Sequence, residues 1–136
     1  MKEDSLSRYF KWIYNATQLN PNNVRFEGFK SAGKIGTIEN SALQNNIMDL
    51  YQETIPALLS STKAYIERKN QLYGYLQKNH QRLTDSTSNF TEILNTEEAH
   101  NICSWLTVTQ EITARYDAAI KKSQEIIEAI NKQYPE

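Results

Sequence analysis

Residues 40–80 read NSALQNNIMDLYQETIPALLSSTKAYIERKNQLYGYLQKNH, and this stretch decides the fold. Its apolar or near-apolar positions run Leu43, Ile47, Tyr51, Ile55, Leu58, Thr62, Tyr65, Lys69, Leu72 and Leu76. The steps are threes and fours averaging about 3.7, the period of one face of an α-helix. A helix of roughly 38 residues here would be about 57 Å long. That far exceeds the usual globular helix, so it needs an equally long partner. Pro56 interrupts it by removing one backbone donor and crowding the carbonyl four residues earlier. A kink near Gln52–Ile55 is expected, with two helices meeting at Thr54–Pro56 as the alternative.

The partner is legible downstream. Thr96 offers a cap, and Glu97 and Glu98 suit the positive end of a helix dipole. From there Ala99, Ile102, Leu106, Thr109, Thr113, Tyr116, Ile120, Ser123, Ile127, Ile130 and Tyr134 recur at alternating threes and fours, a heptad spacing. The pattern predicts a helix over residues 97–134, matched in length to residues 41–80. Two such helices joined by a compact turn form an antiparallel hairpin. The fold class expected is all-α, an elongated up-down bundle built on that hairpin. Between the helices, Arg82–Asn95 reads as the turn region, with Phe90, Ile93 and Leu94 forming a short helical cover.

Upstream, residues 4–19 predict a first helix with Leu6, Tyr9, Phe10, Ile13 and Thr17 on one face, ended by Asn20-Pro21. Residues 24–32 predict a second, capped by Asn22 or Asn23, with Val24, Phe26 and Phe29 inward. Gly33 stands where a left-handed residue ends a helix. Ile35 and Ile38 can plug the bundle end, and Asn40 or Ser41 caps the long helix. One domain spanning residues 1–136 is the expected organisation. A bare hairpin would leave Met48, Tyr73, Tyr75, Trp105, Val108, Ile112 and Ile126 in water, so the N-terminal helices or a second copy must cover them.

Composition narrows the function. The 136 residues carry 15 Lys and Arg against 16 Asp and Glu, scattered among polar residues on helical faces. Phosphate recognition needs clustered cations, so a nucleic-acid partner is not expected. No apolar run of about 18 residues exists, so no insertion of this chain into a membrane is expected. The N-terminus lacks the apolar block of a signal peptide. Cys103 is the single cysteine, which excludes an internal disulfide and a cysteine-based zinc site.

Candidate chemistry is sparse. His80 and His100 flank the same turn near Glu97 and Glu98, a donor set able to hold zinc but without the spacing of a metal motif. Cys103 shares a helix face with His100, yet it lies near the apolar seam, where cysteine behaves as a small hydrophobe. Gly28, Gly33 and Gly36 form no nucleotide fingerprint. Tyr65, Tyr73, Tyr75, Trp105 and Tyr116 can line a pocket between helices or simply build the core. Asn89-Phe90-Thr91 matches an N-glycosylation pattern at a frequency chance supplies. No residue is assigned a catalytic, cofactor or metal role, and no cofactor is expected.

Residues 29–51 follow the pattern F-x-S-x-G-x-I-x-x-I-x-N-x-x-L-x-x-x-I-x-x-x-Y, filled by Phe29, Ser31, Gly33, Ile35, Ile38, Asn40, Leu43, Ile47 and Tyr51. This resembles membrane-anchored helical proteins of unknown function from Bacteroidetes, in which a Leu usually stands at the place of Phe29. The resemblance implies an extracytoplasmic domain of the cell envelope, with an anchor upstream in a parent chain; a chain without one would be cytoplasmic. It transfers no catalytic residue. The leading expectation is therefore a non-enzymatic envelope domain acting through protein contacts or ligand sensing. A soluble adaptor self-associating through a stripe around Ile112 and Ile126 is the alternative. A metal-binding protein using His80 and His100 is the second alternative.

Overall fold

The computed structural model describes residues 18–81, 83, 88–107 and 109–135. The expected helix at residues 4–19, with its aromatic face, lies outside them but for its last two residues, as does much of the turn region. The fold is all-α, with long helices of 39 and 37 residues and no strand among the described residues. Helix α1 is Asn23–Ser31, and a 3₁₀ turn at Lys34–Thr37 leads into α2, Ser41–Asp49. A π-helical turn, Leu50–Thr54, joins α2 to α3, Ile55–Asn79. The second arm comprises α4, Phe90–Leu94, α5, Glu97–Ser104, and α6, Thr109–Gln133.

Local chemistry sets most boundaries. The Asn40 side chain accepts from the Leu43 amide at 3.0 Å, and Thr96 Oγ1 accepts from the Ala99 amide at 3.2 Å. Each satisfies an amide that the first turn of a helix leaves without a carbonyl. Gly33 adopts φ 68°, a left-handed conformation that costs a residue without Cβ little. At α1 the expectation fails: Asn22 makes no side-chain cap bond, and Asn23 Oδ1 is buried without a partner. Val24 is 81% exposed, while Phe26 turns inward, so α1 presents a narrower apolar face than its sequence suggests.

Residues 41–79 stay helical through Pro56, so the two-helix alternative is not realised. The Ile55 amide donates to the Leu50 carbonyl, five residues back. The wider π turn thus falls just before the proline, where a regular turn would set its ring against the Gln52 carbonyl. The second arm changes pitch too. At Trp105–Thr107 the Leu106 amide donates to the Cys103 carbonyl at 2.9 Å, three residues back, tightening the chain between α5 and α6.

The chain packs as two compact units, one built from Thr62–Thr109 and one from Leu19–Ser61 with Gln110–Glu136. The first centres on Leu72, Tyr75, Leu76, Phe90, Ile93 and Ala99. The second centres on Leu43, Leu50, Ile55 and Ile126. Each pairs part of the first long arm with part of the second. Asp49 meets Lys122 at 3.1 Å, the Arg68 guanidinium lies over the Trp105 ring at 4.4 Å, and the Tyr75 hydroxyl reaches Thr96 at 2.6 Å.

The inward face of α6 corrects the sequence reading. Ala119 and Ile126 are buried and Ile112 is half-buried, whereas Ile120, Ile127, Ile130 and Tyr134 are exposed. The buried face is shifted toward the preceding residue of each pair, while Tyr116 and Ser123 of the expected seam stay half-buried. A stripe around Ile112 and Ile126 is therefore not a free surface. Tyr75 is also covered, while Trp105 is 58% exposed.

Candidate functional site

An open cleft of about 670 Å³ lies wholly within the second unit. Helix α1 supplies Arg25, Phe26 and Phe29, and the following connection supplies Thr37 and Ile38. Leu43 and Ile47 come from α2, and Leu50 and Tyr51 from the π turn. The opposite wall is Ser123, Ile126, Ile127 and Ile130 of α6, with Tyr134 just beyond it.

Three devices hold this geometry. The left-handed Gly33 and the 3₁₀ turn reverse the chain so that α1 can reach α2. The Phe26 and Tyr51 rings then stack with centroids 4.3 Å apart and planes 5° from parallel. Leu50 and Tyr51 of the π turn both line the cleft. Finally, the part-buried Lys122–Asp49 ion pair ties α6 to the end of α2.

The cleft is chemically quiet. Among the described residues Arg25 is its only charged lining residue, and no His, Cys, Asp, Glu or Lys lines it. Ser123 Oγ donates to the Ala119 carbonyl at 2.8 Å within its own helix, so no base activates it. What remains is apolar wall with a few hydroxyl groups. Such a surface favours binding by excluding water.

The residues singled out in the sequence lie elsewhere. His80, Glu97, Glu98 and His100 are all exposed, and His80 packs edge-on against Phe90 with centroids 6.1 Å apart. Among the described residues, no three His, Cys, Asp or Glu side chains gather as a metal site would require. Cys103 packs at the edge of the first core, and burial pushes its thiol pKa up, away from the thiolate. Tyr75 belongs to the core: its hydroxyl lies 3.1 Å from the Ile93 carbonyl and 2.6 Å from Thr96 Oγ1. It also borders a shallower cleft of about 370 Å³ with Gln71, Gly74, Lys78, Glu98 and Ile102. Asn89 clips the turn, donating to the Asn79 carbonyl at 2.9 Å and accepting from the Gln81 amide at 2.7 Å.

The apolar cleft escaped the sequence reading because its walls come from segments far apart in the chain. One local signal existed. Leu43, Ile47, Tyr51 and Ile55 are spaced by three consecutive fours, which in a regular helix would carry Ile55 about 120° past Leu43. Searches of family models, curated proteins and solved structures find no match to this chain.

Proposed function

We propose that the chain is a non-enzymatic binding domain whose recognition surface is the apolar cleft of the second unit. The observation that carries this reading is the pairing of a cavity of about 670 Å³ with a lining to which the described residues bring no His, Cys, Asp, Glu or Lys side chain. That volume falls within the range of about 300–1,000 Å³ occupied by ligand sites. The stretch carrying the Bacteroidetes resemblance supports the same site, since Phe29, Ile38, Leu43, Ile47 and Tyr51 all line it. Gly33 and Asn40, from the same pattern, form the turn and cap between those walls. By that resemblance the domain works on the extracytoplasmic side of the cell envelope, in a parent chain that carries the anchor.

The test is a titration of the full chain with N-phenyl-1-naphthylamine, a neutral apolar fluorophore. One saturable site is expected, and Ser123→Phe, which fills the cleft, should abolish it. Binding that never saturates, or that survives this substitution in a folded protein, would refute the reading.

A second reading rests on the exposed edge of α6. Ile120, Ile127, Ile130 and Tyr134 present a large apolar stripe at steps of seven, three and four residues, a pattern suited to a second copy. Light scattering over a wide concentration range separates the two. A dimer that Ile127→Glu dissociates favours self-association, and a monomer throughout removes it.

A further inference from the structure

Resting on the binding role of the cleft, we propose that its ligand is an anionic amphiphile, an aliphatic chain ending in a carboxylate. The chain would lie against Phe29, Ile47, Ile127 and Ile130, with the carboxylate at Arg25. Two observations carry this. First, among the described residues the lining contains one charge, the Arg25 guanidinium, and no carboxylate to oppose an incoming anion. A cationic ligand would meet only repulsion there, and a neutral one would leave the cation unused.

Second, Arg25 stands in the first turn of α1, a turn without an acidic residue. A helix N-terminus already carries partial positive charge, so a cation there is locally unfavourable and is ordinarily balanced by Asp or Glu. No ion pair among the described residues engages Arg25. The uncompensated positive field therefore faces the mouth of an apolar cleft. A guanidinium presents paired donors that match the two oxygens of a carboxylate, while the chain leaves water along the wall.

Dodecanoate, below its micellar concentration, is the probe, with 1-dodecanol as its neutral counterpart. Each displaces N-phenyl-1-naphthylamine from the full chain, and isoleucine methyl resonances report the location. Shifts at Ile127 and Ile130, with Ile93 of the first unit unmoved, place the ligand in the cleft. Arg25→Gln should weaken dodecanoate by about fivefold, the size of a rim-exposed ion pair, and leave 1-dodecanol within about twofold. Arg25→Lys should restore part of the loss. If both probes bind in the cleft and Arg25→Gln affects them equally, the carboxylate assignment is wrong while the binding role stands. If neither moves Ile127 or Ile130, both are wrong.

Discussion

The Ile55 amide donates to the carbonyl of Leu50, so one helical turn holds an extra residue immediately before Pro56. Leu50 and Ile55 are both buried in the second core despite their five-residue separation. Beyond them Leu58 and Thr62 continue the inward face at regular helical steps. The π turn thus does two things. It replaces the regular turn that would set the Gln52 carbonyl against the proline ring, and it keeps Leu50 and Ile55 in one core.

This reading makes a paired prediction. Deleting the exposed Gln52 leaves Leu50 and Ile55 four residues apart, a spacing that a plain α-helix buries on one face. The regular turn then clashes with Pro56, at about 3 kcal/mol. In a Pro56→Ala background the same deletion should cost less than about 1 kcal/mol, because no clash remains. Urea unfolding of the four proteins gives the coupling. Equal costs in both backgrounds would show that the π turn is unrelated to the proline.

Several local devices were legible because one residue and its neighbours decide them. Asn40 and Thr96 cap, Gly33 turns left-handed, and the stripe of residues 43–76 points one way. The face of α6 was not legible for a physical reason. Ile112, Ala119 and Ile126 repeat every seven residues beside Thr113, Ile120 and Ile127, which repeat identically one residue on. Periodicity cannot choose between adjacent stripes; close packing can, and the side that fits includes the small Ala119. The π turn was half legible. Pro56 marked the position of a disturbance, while the form depended on keeping Leu50 and Ile55 in one core. The cleft depended on segments around residues 25–51 and 123–134, which no local pattern brings together.

The hydroxyl of Tyr75 and that of Thr96 lie 2.6 Å apart, and both approach the Ile93 carbonyl. Each hydroxyl has one proton, so one donates to the carbonyl and the other donates to that hydroxyl. Tyr75→Phe should cost about 1 kcal/mol, since Thr96 still satisfies the carbonyl. Thr96→Val should cost about 1–2 kcal/mol, because it also removes the cap on Ala99. A double-mutant cycle should give about 0.5–1 kcal/mol of coupling. Strict additivity would mean that the two hydroxyls act independently.

Desolvation raises the Cys103 pKa in the folded chain above its value in the unfolded one. Folding therefore favours the protonated thiol. The contribution is fully present below the unfolded pKa of about 8.5 and is lost as pH rises through the folded value. Cys103→Ala should accordingly lose less stability than the parent as pH rises above about 8.5. Alkylation by iodoacetamide at pH 8 should be slower in the folded protein than in urea. A folded-state rate equal to that in urea would place the thiol in solvent.

Ile126 and Ile127 are sequence neighbours of identical chemistry, 7% and 56% exposed respectively. Ile126 packs in the core formed with Leu43, Leu50 and Ile55. Truncation there removes buried contacts and leaves a cavity, so Ile126→Ala should cost about 2–4 kcal/mol. Ile127→Ala sits on the open wall of the cleft and should change stability by less than about 0.5 kcal/mol. Thermal or urea unfolding of the two variants decides which stripe faces the core. The reverse ranking would restore the heptad seam through Ile120 and Ile127 as the packed face. It would also bury the cleft wall on which the proposed ligand rests. Comparable large losses at both positions would instead mean that Ile127 is covered in solution, as a second copy docked on α6 would cover it. In that case diluting the protein should lower its unfolding midpoint, because the stabilisation by subunit association rises with the logarithm of concentration.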